Sequence, residues 1–89
     1  MKDEFNLDDT TLKVDLSDAT QAVKENKFDE ALRLLKVILK ENPSNIDALY
    51  MAAVSSRYLK KFDDSKKHIE SLLKNAPDMG RAYQELGHL

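Results

Sequence analysis

Apolar positions along this chain recur at helical spacing in five separate stretches, each bounded by residues that start or stop a helix. The first stripe, Leu16, Ala19 and Val23 with Ala22 alongside, ends near Asn26. Two starts fit it: Thr10 or Thr11 could cap a helix containing Leu12, and Ser17 followed by Asp18 is an equally good cap with an acid in the first turn. Ala31, Leu32, Leu35, Ile38 and Leu39 form a broader face that predicts a helix over 29–41, with Asp29 as cap and Glu30 in the first turn. Asn42-Pro43-Ser44-Asn45 stops it, because Pro disfavours helical backbone in the residue before it, and Asn45 is placed to cap the next segment. Ile46, Leu49, Tyr50, Ala53 and Val54 carry that segment to about Tyr58. After Lys60-Lys61, Asp63 starts a helix that buries Ile69, Leu72 and Leu73 and ends before Ala76-Pro77. A last helix from Met79 or Gly80 has Ala82, Tyr83 and Leu86 as its apolar side.

The pattern also repeats itself. Lys27, Phe28 and Asp29 recur 34 residues later as Lys61, Phe62 and Asp63, and Pro43 recurs as Pro77. Setting residues 12–55 against 46–89 gives eight identities in 44 pairs, above the roughly 6% expected from average residue usage. Such a period is the mark of stacked helical hairpins. Short connections make consecutive helices antiparallel neighbours, so the expected fold is all-α, five helices in two hairpins plus one further helix, stacked as a right-handed helical-hairpin solenoid. Residues 1–14 fit no sustained period; with Asp3-Glu4, Asp8-Asp9 and scattered Phe5, Leu7, Leu12 and Val14 they read as an acidic arm ahead of a repeat domain over 15–89. Within it, the first repeat covers about 12–45, the second about 46–79 and a half repeat 80–89.

Composition narrows the function classes. At 89 residues the chain is one domain at most, too small for a deep catalytic cavity beside a core. It has no Cys, so disulfides, thiolate nucleophiles and Cys zinc sites are excluded together. No run approaches the roughly 18 apolar residues of a membrane span, and the acidic start is unlike a secretory signal, so a cytoplasmic setting without a membrane partner is expected. The net charge of −2 hides an asymmetry: residues 1–30 hold nine acids and four bases, residues 31–75 nine bases and five acids. The basic set Arg57, Lys60, Lys61, Lys66, Lys67 and Lys74 is interspersed with Asp63, Asp64 and Glu70 and lacks interleaved aromatics. It reads as a solvated face, and nucleic acid is not expected as a partner. His68 and His88 lie in different helices without metal-binding spacing, no phosphate loop or nucleophile elbow occurs, and neither metal, cofactor nor catalytic residue is expected.

The residues that recur resemble the tetratricopeptide repeat family over 15–89. Ala19, Phe28, Ala31, Leu35, Ile38 and Pro43 fall on the family's pattern in the first repeat, and Ala53, Phe62, Ser65, Ile69, Leu72 and Pro77 in the second. Ala82-Tyr83-Gln84-Glu85-Leu86-Gly87 begins a third. Asp15 and Asp18 depart from it, standing where the family usually has large apolar residues. In physical terms, small residues at Ala19, Ala53 and Gly87 let helix axes approach, and Phe28 and Phe62 plug the open end of each hairpin.

The resemblance implies a non-enzymatic module that binds a protein or peptide segment in a concave groove lined by the first helix of each repeat. Carried over by position, the groove comprises Leu16 and Thr20, with Lys13; Tyr50, Met51, Val54 and Arg57, with Asp47; and Arg81, Gln84 and His88, with Glu85. Tyr50 and Arg57 are types favoured at binding hot spots, while Tyr50 and Val54 are equally suited to packing against a neighbouring helix. The chaperone-binding clamp for a C-terminal carboxylate is not expected. Its places hold Leu16, Thr20, Met51, Arg81 and Glu85, of which only Arg81 suits a carboxylate and Glu85 would repel one. Two alternatives remain: a docking or dimerisation array ahead of a larger enzyme, as in similar arrays of bacterial sulfotransferases, and a self-assembling array that pairs through its C-terminal helix. Leu34 and Val37 are matched in the second repeat by His68 and Ser71, so the first hairpin carries an extra apolar stripe. The arm, through Leu7, Leu12 or Val14, is its expected cover, with a partner or continued exposure as the alternatives.

Overall fold

A computed structural model of the chain describes residues 15–88. The five helices are α1 (Leu16–Lys24), α2 (Phe28–Glu41), α3 (Ile46–Tyr58), α4 (Phe62–Asn75) and α5 (Gly80–Leu86), and no strand occurs among the described residues. Each helix packs on the next, and α1 also touches α3, as α3 touches α5. The second helices α2 and α4 make less contact with each other than α1 and α3 do.

Two kinds of turn alternate along the chain, and each is set by local sequence. At the hairpin tips, Asn26 and Lys60 adopt left-handed backbone with φ of 61° and 64°. The amide of Asn26 donates to the carbonyl of Val23, and that of Lys27 to Ala22 at 2.8 Å; Lys60 donates to Arg57 and Lys61 to Ser56 at 2.8 Å in the same way. This paired closure is the Schellman motif, which satisfies the last free carbonyls of α1 and α3. Between repeats, Asn42 and Ala76 are extended, as the residue before Pro must be, and Pro43 and Pro77 occupy the second place of a turn closed by Asn45 N–H to Asn42 O and Met79 N–H to Ala76 O, each 3.1 Å.

Three helix starts differ from those expected, two of them set by these turns. α2 and α4 begin at Phe28 and Phe62, with Lys27 and Lys61 at the cap position and no side-chain cap bond, so Asp29 and Asp63 sit in the first turn and are not caps. The tip closure uses Lys27 and Lys61 as its final donors, which leaves the following phenylalanine as the first helical residue. α1 begins at Leu16, with Asp15 at the cap position; Ser17 lies inside the helix, and the alternative start at Thr10 or Thr11 lies outside the described residues, as do the arm and its contact with Leu34 and Val37. Asn45 does cap α3, its Oδ1 accepting from the Ala48 amide at 3.0 Å.

The core has two compartments divided by α3. Ala19, Ala22, Ala31, Leu32, Leu35 and Ile38 pack with Ala48 and Ala52 on one side; Ile69, Leu72 and Ala82 pack with Leu49 and Ala53 on the other. The buried positions of α3, Ala48, Leu49, Ala52, Ala53, Ser55 and Ser56, are nearly all small, which suits a helix packed on both sides. Ala19 and Ala53 are completely buried, in keeping with their predicted role at close crossings. Gly87 is different: it lies beyond the end of α5, where an added Cβ would meet only the carbonyl oxygens of Gln84 and Tyr83 in the preceding turn. Ser65 stands where the first repeat has Ala31, and its hydroxyl is satisfied by donating to the Ala53 carbonyl on α3 at 2.8 Å.

The phenylalanines also part company. Phe28 is half-buried, its ring stacked on that of Tyr58 with centroids 4.6 Å apart and planes 5° from parallel, so it plugs the first tip as expected. Phe62 is 48% exposed and plugs nothing among the described residues.

Candidate functional site

The side formed by α1, α3 and α5 is built by the same helical spacing that builds the core. Along α3, Ala48 and Ala52 face one compartment and Leu49 and Ala53 the other, which leaves Asp47, Tyr50, Met51, Val54 and Arg57 on the stripe between them. Tyr50, Met51, Val54 and Arg57 are half-buried there, with Leu16 and Thr20 of α1 half-buried alongside. Arg81, Gln84 and His88, on and just beyond α5, are exposed, and so is Asp47. Lys13 lies outside the described residues.

Three contacts tie this surface together. Thr20 on α1 donates its hydroxyl to the Leu16 carbonyl at 2.9 Å, and its Oγ1 lies 3.5 Å from the Met51 sulfur on α3. Tyr50 on α3 carries the Arg81 guanidinium of α5 over its ring, 4.6 Å from the centroid. Arg57 on α3 donates from Nε to Glu85 Oε1 at 2.8 Å and from Nη2 to Oε2 at 3.4 Å. That bidentate pair is the strong form of an ion pair. Its other ring-side contact is Tyr58, over which the guanidinium sits at 4.5 Å. The hydrogen bond to Glu85 holds the Arg57 guanidinium above its ordinary pKa, against a smaller opposing effect of burial.

The expected groove residues therefore separate by what they are free to do. Arg57 commits Nε and one Nη2 proton to Glu85, and Glu85 is 6% exposed and turned to that partner. At the position of Glu85 the carboxylate is withdrawn into the α3–α5 contact. Sequence reasoning missed that Arg57 and Glu85 are one unit. The signal was available, because 34 residues earlier these positions are Val23 and Met51, both packed against the first core compartment. Two charged residues stand at the second copy of positions that are apolar in the first. Tyr58, treated only as a helix end, was missed as the ring between Phe28 and Arg57.

Elsewhere, burial pushes His68 below its ordinary pKa, an effect that Lys36 adds to and Asp64 opposes. No group of three or more His, Asp or Glu side chains able to hold a metal occurs among the described residues. None of the described helices is long and apolar enough to cross a membrane.

A family model described as tetratricopeptide repeat matches residues 22–87. No curated protein and no solved structure matches the chain.

Proposed function

Because this chain belongs to the tetratricopeptide repeat family, whose members are generally protein–protein interaction modules, we propose that it binds an extended or helical segment of a protein partner along the side formed by α1, α3 and α5. The observation that carries this is the stripe of half-buried Leu16, Thr20, Tyr50, Met51 and Val54, which runs across α1 and α3 and meets the exposed Arg81, Gln84 and His88 of the last helix and turn. Met51 can adapt its shape to a ligand, and Tyr50 offers a flat apolar surface already partly removed from water. Arg57 serves the groove indirectly, by holding α5 as its third wall. Such a groove works by presentation: little has to be ordered on binding, so less of the interaction energy is lost. Affinity capture from a native lysate tests it. A partner retained by the native chain and by Lys67→Ala on α4, yet lost from Tyr50→Ala and from Gln84→Arg, supports the groove; retention by both groove variants counts against it.

A second reading, self-association through the C-terminal side of the array, is favoured by one further observation. Tyr83 and Leu86 on α5 are 54% and 39% exposed, whereas their counterparts one repeat earlier, Leu49 and Ala52, are 4% and 1% exposed. Light scattering over a concentration series tests it, with a mass that stays monomeric throughout as the contrary result.

A further inference from the structure

Acidic and basic side chains among the described groove residues fall into two sets. Arg57 and Glu85 neutralise each other across α3 and α5 and are largely withdrawn from solvent. Asp47 and Arg81 are exposed, and neither makes an ion pair with another described residue. They stand 34 residues apart and so take the same place on α3 and α5, two helices that touch. That place carries an acid in one repeat and a base in the next, at the edge of the half-buried stripe of Tyr50, Met51 and Val54.

Arg81 gains nothing from its own helix. It lies in the first turn of α5, where a cation is disfavoured and where α1, α2, α3 and α4 all carry acids. Its guanidinium lies over the Tyr50 ring, 4.6 Å from the centroid. Stacking of this kind uses the face of the guanidinium and leaves the N–H donors at its edge for a carboxylate.

We propose that Asp47 and Arg81 select the partner by charge: an extended segment crossing α3 and α5 sets a basic residue against Asp47 and an acidic residue on Arg81, with apolar side chains on the stripe beside them. This rests on the groove reading above and names the chemistry of the segment it takes. Neighbouring helix axes lie roughly 8–10 Å apart, a distance that an extended chain covers in about two or three residues, so the two charges of the segment fall two or three positions apart. A segment of a single sign meets like charge at one of the two places, and a mixed segment running the wrong way meets it at both. Complementary charge therefore fixes direction and register, while the apolar stripe supplies contact area. Arg57 and Glu85 leave this selection undisturbed, because each is already answered by the other.

Selection from a displayed library of random linear peptides, with the full chain as bait, tests this, and circular dichroism checks that each variant folds. Peptides enriched on the native chain are expected to carry a basic and an acidic residue two or three positions apart, with apolar residues beside them. They should bind roughly tenfold or more weakly to Arg81→Glu and to Asp47→Lys. The double variant Asp47→Lys/Arg81→Glu should bind peptides in which the two charges have been exchanged. Peptides lost from Tyr50→Ala but indifferent to both charge variants would overturn the charge selection and leave the groove standing. Peptides indifferent to Tyr50→Ala as well, or no enrichment over an empty bait, would overturn both.

Discussion

Arg57 and Glu85 meet across α3 and α5 at 2.8 Å, where the equivalent places of the first interface hold Val23 and Met51. Their side chains are 20% and 8% exposed, so solvent screens the pair weakly. α5 has seven residues, well below the roughly 12–15 at which an isolated helix becomes stable in water, and so depends on contacts of this kind. Glu85→Ala strands the guanidinium and is expected to cost roughly 1.5–3 kcal/mol in urea unfolding. Hydrogen exchange should show α5 amides opening first. Arg57→Val with Glu85→Met, which copies the first interface, should cost less than either single change to Ala, because an apolar pair leaves no buried charge without its partner.

Asn26 and Lys60 occupy the same left-handed backbone position one repeat apart. Asn tolerates it through its short polar side chain, whereas Lys carries the usual penalty of an L-residue there. Lys60→Asn is expected to stabilise the fold by about 0.5–1 kcal/mol, and Asn26→Lys to destabilise it by a similar amount. Paired thermal melts read both directly.

Much of this arrangement was legible in the sequence. Helical spacing located the five described helices, and the 34-residue interval foretold the Pro43 and Pro77 turns and matched small residues at Ala19 and Ala53, both fully buried, because spacing and proline act locally. Helix starts at Phe28 and Phe62 were not legible from cap preferences, since the tip closure, and not the Asp side chain, decides where the helix resumes. In the candidate site, helical spacing alone put Tyr50, Met51 and Val54 on one stripe of α3, where they are half-buried. Arg57 was legible by type but not by use, because its partner lies in another helix and only comparison of the two repeats exposes the swap of Val23 and Met51 for Arg57 and Glu85.

His68 brings a titration into the fold. Its counterpart in the first repeat is Leu34, and burial holds its folded-state pKa below the ordinary 6.5. As pH falls below about 6.5 the unfolded chain takes up the proton first. The unfolded state therefore binds more protons, and stability declines with falling pH until the folded-state pKa is passed. His68→Leu should flatten that part of the pH–stability curve in urea titrations. An unchanged slope would mean that the imidazole is solvated in the native state.

Binding along α1, α3 and α5 is tested most directly by amide chemical-shift mapping as the captured partner's segment is titrated into the labelled chain. The account predicts perturbations concentrated at Thr20, Tyr50, Val54 and Gln84, with Lys36 on α2 and Lys67 on α4 unmoved. Perturbations concentrated on α2 and α4, with α3 silent, would contradict it.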